Sequence, residues 1–418
     1  MVKVRHPYYP LLIAAVTFVL LVAAAGVRSV PTMYVRPFES EFGWSDGVIS
    51  NALALQIALY GLTGPFAAAA MERYGVRKTA VTAIALLAAA MFALTRIDTA
   101  WELLLWAAAA GIGVGCLALA MGATIANRWF VTQRGLVIGV FSAGNATGQL
   151  VFLPMFGVLI DHGGWRDSAI VLAVIALALI PFAWFSLRER PVDVGMPPWG
   201  GDAIEPAPVQ RRNPLAEAFS VLGNASRTRT FWLLAGSFFI CGASTNGLIG
   251  THLVPACGDH GIPETSAAGL LAVMGLFDLL GTTASGWLSD RFDPRWLLFW
   301  YYGLRGLSLV FLPYAFGIAA IGLPAFAVFY GLDWIATVPP TLRLTTAAFG
   351  RERAPVVFGW IAASHQLGAG AVAFGAGWAR TLMGTYDQAF ITSGVLCLIA
   401  STIVLAIARR PKLEPAFA

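Results

Sequence analysis

Apolar residues fill this chain in runs of about twenty, the length a helix needs to cross a hydrocarbon core ~30 Å thick. Polar residues collect between the runs. Twelve runs reach spanning length: 10–35, 46–71, 79–96, 101–126, 135–160 and 168–187, then 230–254, 265–288, 296–315, 321–349, 355–380 and 388–408. Inside a bilayer each segment must satisfy its own backbone N–H and C=O groups, and the helix does this alone. The pattern therefore predicts an all-α membrane protein of twelve transmembrane helices. Gly and Ala recur within the runs, as close helix packing without a hydrophobic driving force requires.

Composition agrees. Of 418 residues, 58% are hydrophobic and 12% charged, about half the ~25% charged residues of a soluble domain. The net charge of +5 does not indicate nucleic acid, because the bases fall between apolar runs and form no patch interleaved with aromatics. Cys116, Cys241, Cys257 and Cys397 are scattered without metal-ligand spacing, so neither a disulfide nor a zinc framework follows. No His/Glu metal cluster, nucleophile elbow or phosphate loop is present to suggest an enzyme or a cofactor. The first run, from Pro10 to at least Val30, is too long for a signal-peptide core.

The bases set the orientation. With both termini cytoplasmic, 21 of the 27 Lys and Arg fall on that side, among them Arg73, Arg77, Lys78, Arg128, Arg134, Arg351 and Arg353. The opposite loops receive Arg36, Arg96, Arg166 and Arg380, while Arg28 and Arg305 lie inside spans. This asymmetry predicts N-in, C-in. A single long hydrophilic stretch, 188–229, separates a six-span half (1–187) from a second (230–418). Its six bases and five acids nearly cancel, so it reads as a linker. Asn213-Pro214, a cap followed by a first-turn proline, predicts a short helix on the cytoplasmic surface.

An internal repeat supports the division. Between spans 2 and 3 the chain reads Ala68-x3-Glu72-Arg73-x-Gly75-x-Arg77-Lys78, and between spans 8 and 9 it reads Gly286-x3-Asp290-Arg291-x3-Arg295, 218 residues later. The repeated G-x-x-x-D-R-x-G-x-R pattern resembles the loop motif of the major facilitator superfamily. The first copy departs from it at Ala68 and Glu72, and the second carries Asp293 at the second glycine. Trp129-Phe130-x3-Arg134-Gly135-Leu136-x2-Gly139-x4-Gly144-x3-Gly148 resembles the span 4–5 signature of the monocarboxylate transporter and oxalate/formate antiporter branch. The resemblance implies the major facilitator fold, loop motifs that gate movement of the halves (Glu72, Arg73, Gly75, Arg77, Gly286, Asp290, Arg291), and carriage of a small organic anion, a monocarboxylate above all.

Polar groups deep in the spans are the candidates for chemistry. Ionisable residues there are costly and invite a functional reading, and transporters built from repeats bind substrate near the midplane. Arg28, Gln56, Tyr60, Asn145, Gln149, Asn246, His365 and Gln366 are the substrate candidates. Any single Asn or Gln can equally be helix–helix glue. Asp278 lies 12 residues before Asp290 and Arg305 lies 10 after Arg295, so at ~1.5 Å per residue both sit ~15–18 Å from the same helix ends. Asp278 and Arg305 are thus expected to pair or to couple protons, with Asp333 able to neutralise Arg305 or Arg343. Arg suits bidentate carboxylate binding. In the branch that this chain resembles, an Arg stands one turn after the span 8 Asp; here that position is Thr282.

The reading that follows is a secondary transporter of a small organic anion, coupled to protons, acting as a monomer in a bacterial inner membrane. Antiport, or efflux of amphipathic compounds, stays open on the span 5 glycines. A sensor that transports nothing ranks lower, because the short loops hold no signalling domain.

Overall fold

In the computed structural model, residues 8–204 and 213–408 are described. The first run is one continuous path, Tyr9–Phe42. It comprises α1 (Tyr9–Ser29), a 3-10 turn at Val30–Tyr34 and α2 (Val35–Phe42). Pro31, lacking an N–H, sits in that turn. Span 2 is α3 (Asp46–Tyr74), span 3 is α4 (Val76–Leu94), and span 4 is α5 (Ala100–Cys116) with α6 (Leu119–Trp129). Spans 5 and 6 run together in α7 (Arg134–Ser186), broken at Gly164, whose φ of 81° needs a residue without a Cβ. The helix expected after Asn213 is α8 (Pro214–Ala225), and the Asn213 side chain accepts from Leu215 N at 3.0 Å.

Span 7 is α9 (Arg229–Gly242), a seven-residue π-helical turn at Ala243–Ile249, and α10 (Gly250–Asp259). Spans 8 and 9 are α11 (Glu264–Ser289) and α12 (Pro294–Gly317). Span 10 is broken between α13 (Ala319–Asp333) and α14 (Val338–Phe349). Spans 11 and 12 are α15 (Ala354–Met383) and α16 (Asp387–Leu405). Among the described residues, ten helical paths are long and apolar enough to cross a membrane. The other two expected spans are span 5, made of shorter apolar pieces at Arg134–Gly144 and Leu150–Ile160, and α12, whose 24 residues include Arg295 and Arg305.

The described residues divide into two compact units: the chain up to Arg134 with Gly144–Val221, and Gly135–Ala143 with Leu222 onward. Each is assembled by glycines that let backbones touch. In the first unit, a Cβ at Gly111 or Gly115 of α5 would lie 2.6 or 2.8 Å from the carbonyls of Gln56 and Tyr60 on α3. Gly148 of α7 meets Val22 O of α1 in the same way, at 2.6 Å. In the second unit, Gly247 of span 7 packs on Ala369 of α15, Gly331 of α13 packs on Met274 of α11, and Gly306 and Gly394 pack α12 on α16. Spans 1–5 and 2–4 in one unit thus correspond to 7–11 and 8–10 in the other. The sequence repeat is also a packing repeat, at distances only small residues allow. Large apolar side chains left exposed, such as Phe185, Trp232, Trp300, Phe329 and Trp378, are the surface a lipid solvent covers.

The hydrophilic stretch is less featureless than its composition suggests. Pro191, Val194 and Met196 are buried, and Trp199 exchanges backbone hydrogen bonds with Trp129 and Val131 at 2.8 and 2.9 Å. Residues 188–201 form a strap across the ends of spans 2, 3 and 4. At its start the Glu189 carboxylate accepts the N–H groups of Val76 and Arg77 at the first turn of α4, where the helix dipole favours negative charge. Gly75, at φ +94°, leaves room for it, since a Cβ there would collide with that carboxylate.

Candidate functional site

In the first unit three of the substrate candidates, Arg28, Gln56 and Tyr60, have described side chains. Gln56 and Tyr60, four residues apart, share one face of α3 by helical geometry. The Arg28 guanidinium of α1 lies over the Tyr60 ring, 5.5 Å from its centroid, within cation–π range. Gln56 is 1% exposed and its Nε2 finds no acceptor among the described residues. A buried donor without an acceptor costs about 1–3 kcal/mol. The side chains of Asn145 and Gln149 lie outside the described residues.

The second unit holds a buried polar cluster around Arg305, which is 1% exposed. Of the two acids expected opposite Arg305, the structure pairs it with Asp333 and not with Asp278. Arg305 Nε donates to Asp333 Oδ2 at 2.7 Å, and Nη2 donates to the carbonyls of Asp333 and Trp334, the latter at 3.1 Å. Asp278 instead accepts from Thr282 Oγ1 at 2.7 Å and from Ile335 N at 3.0 Å. The physical reason is the break in span 10. Backbone groups freed between α13 and α14 need partners, and the side chains of spans 8 and 9 supply them. Ser285 Oγ adds a fourth such bond, to Ala336 O, at 2.5 Å.

Sequence reasoning missed Cys241, whose thiol receives Arg305 Nη1 at 2.9 Å and lies 3.2 Å from Thr337 Oγ1. Its position in an apolar run gave no signal, because a buried Cys usually behaves as a small hydrophobe. His365 joins this neighbourhood from α15: it faces the Cys241 thiol and packs on the Phe238 ring at 4.9 Å. Gln366 is half-buried beside it, whereas Asn246 is exposed on the π-helical turn of span 7. Such turns are frequent at functional sites.

The two loop motifs use their acids alike. Glu72 binds Arg128, at the end of span 4, at 2.6 Å, and Arg190 of the strap at 3.4 Å. Asp290 binds Arg343, near the end of span 10, at 2.9 Å. Its carboxylate also accepts Gly135 N and Leu136 N, at 2.9 and 3.0 Å, capping the first turn of α7. Gly286 touches the backbone of Gly135 and Gly139, so a side chain there has no space. Arg73 and Arg291 are exposed and lie over their own neighbours Tyr74 and Trp287, while Arg77 covers Trp184. Arg128, Arg343 and Glu189 carry the contacts although none was a site candidate, and Arg343, expected opposite Asp333, pairs with Asp290 instead, because loop bases look alike until the fold pairs them.

Twelve predicted spans, two matching units and buried charge at mid-depth define a multi-pass membrane transporter. The chain belongs to the major facilitator superfamily, whose family pattern matches residues 16–373 and again 253–417. It is 24% identical over 401 residues to the uncharacterized MFS-type transporter YcxA of Bacillus subtilis, covering 93% of this chain and 90% of the relative. It is 25% identical to monocarboxylate transporter 13 of Bos taurus (91% and 85% covered) and 24% identical to the oxalate:formate antiporter of Oxalobacter formigenes (95% and 93%). Its fold is similar to that of the proton:xylose symporter XylE, with a TM-score of 0.71 over 99% of both chains at 15% identity.

Proposed function

We propose that this protein carries a small organic anion, a monocarboxylate by preference, across the plasma membrane by alternating access, with a proton as the coupled ion. The observation that carries the reading is Arg28. A permanent cation in an apolar run is expensive, and here it is held over Tyr60, one turn along α3 from Gln56, whose Nε2 has no acceptor among the described residues. A guanidinium offers paired N–H donors that fit a carboxylate. Two relatives support the class, one named for monocarboxylates and one for oxalate and formate.

Asp278 is the proposed proton site. Arg305 is engaged by Asp333, and the bonded partners of Asp278 are a hydroxyl and an amide. Neither partner is a cation, so gain of a proton breaks no ion pair. Thr282, standing where the resembled branch has Arg, favours a second reading: exchange of one carboxylate for another without net proton movement.

Proteoliposomes separate the two. Accumulation of a labelled carboxylate that follows an imposed pH gradient supports proton coupling. Uptake that requires internal carboxylate and ignores pH supports exchange. Absence of carboxylate flux under either gradient would sink both.

A further inference from the structure

The helix that joins the two six-span halves, α8, presents three distinct faces. At about 100° per residue, Ala218, Val221 and Ala225 share one side and are buried against the protein. Glu217, Ser220 and Asn224 share a second, polar side. Leu215, Phe219 and Leu222 form the third, and Leu215 and Phe219 are 58% and 57% exposed. The polar and exposed apolar faces point roughly 160° apart on the helix wheel. A helix on a water-facing surface would not carry Leu and Phe so openly, whereas one lying in a membrane interface needs this division.

Depth agrees with the faces. The Phe219 ring meets the Phe66 ring of α3 edge-on, with centroids 5.5 Å apart. Phe66 lies eight residues before the end of α3 at Tyr74, or ~12 Å up that helix. This places α8 beside the span, near the boundary of headgroups and acyl chains. Charge agrees as well. Arg227 and Arg229 follow the helix and are exposed, Arg211 and Arg212 precede it in sequence, and Glu217 is the one acid in 211–229. The exposed Trp232 ring, its Nε1 donating to Ser226 O at 2.7 Å, marks the same level.

We infer that α8 is an interfacial helix that recognises the anionic phospholipids of the cytoplasmic leaflet, with Leu215 and Phe219 among the acyl chains and Arg227 and Arg229 at the headgroups. The bilayer thereby holds the one covalent link between the halves, and its lipid charge bears on that link.

The test uses the full-length protein with spin labels on single cysteines at 215, 219, 220 and 224, in liposomes of phosphatidylcholine alone or with phosphatidylglycerol. Monodispersity and melting of each variant must match the parent. Collision with a water-soluble nickel chelate should be lower at 215 and 219 than at 220 and 224, on the order of threefold. Phosphatidylglycerol should widen the difference, inorganic phosphate should not substitute for it, and R211Q/R212Q/R227Q/R229Q should abolish its effect. Equal nickel access at all four positions, the result if α8 stands in water or awaits a soluble partner, overturns the inference. So does an identical profile in the two lipid mixtures.

Discussion

Arg305 is bound to Asp333 and not to Asp278, although Asp278 and Arg305 lie at the same depth in neighbouring spans. The 2.7 Å contact from Nε to Oδ2, with further bonds to the carbonyls of Asp333 and Trp334, ties α12 to the break in span 10. The pair therefore reads as a fastening of the fold, and the variants expected to reveal this differ from those expected to affect transport.

Removing one partner of a buried pair strands the other, at a cost of about 3–5 kcal/mol. Arg305→Gln and Asp333→Asn should each melt well below the parent in detergent. Arg305→Met with Asp333→Leu should recover much of the loss. An unchanged melting temperature for Arg305→Gln would show that the pair is not structural.

Asp278→Asn keeps one carbonyl oxygen in the place of Oδ1, which accepts from both Thr282 and Ile335, but carries no titratable proton. Accumulation driven by a pH gradient should vanish, while exchange of carboxylate across the membrane persists. Retained proton-driven accumulation would move the coupling site elsewhere.

Arg28→Gln removes the cation over Tyr60. A loss of about 1.4 kcal/mol or more, tenfold in affinity, is expected for a carboxylate, with little change in melting. Arg28→Lys restores the charge without the planar fork and should recover affinity only in part. Tyr60→Phe keeps the ring face and should be close to neutral. Substrate saturation curves in proteoliposomes decide each case.

Asp290→Ala withdraws an anion from the first turn of α7 and a partner from Arg343. A loss of ~1 kcal/mol is expected from the cap, seen as earlier hydrogen exchange at Gly135 and Leu136. Gly286→Ala should be worse than its size suggests, because the added methyl meets Gly135 and Gly139 backbone. If Gly286→Ala matches the parent in melting and transport, those helices separate more readily than the contact implies.

Much of this was legible in the chain. A run of twenty apolar residues has one stable solution in lipid, so the succession of helices follows from local sequence, while the placement of bases is what predicts orientation and the division into halves. The motif copies at Glu72 and Asp290 and the depth of Asp278 and Arg305 followed from counting along helices. Partner choice did not, because a helix register gives depth without saying which neighbour a side chain faces. Only the packed structure sends Arg305 to Asp333 and Cys241, folds Glu189 back onto α4, and breaks span 10 so that Ile335 N reaches Asp278. Each of these joins residues far apart in the chain, and each depends on glycine contacts at particular heights that fix one rotation of the helices among many. Sequence by itself determined what must lie in the membrane and how deep; tertiary packing decided which buried charges answer one another.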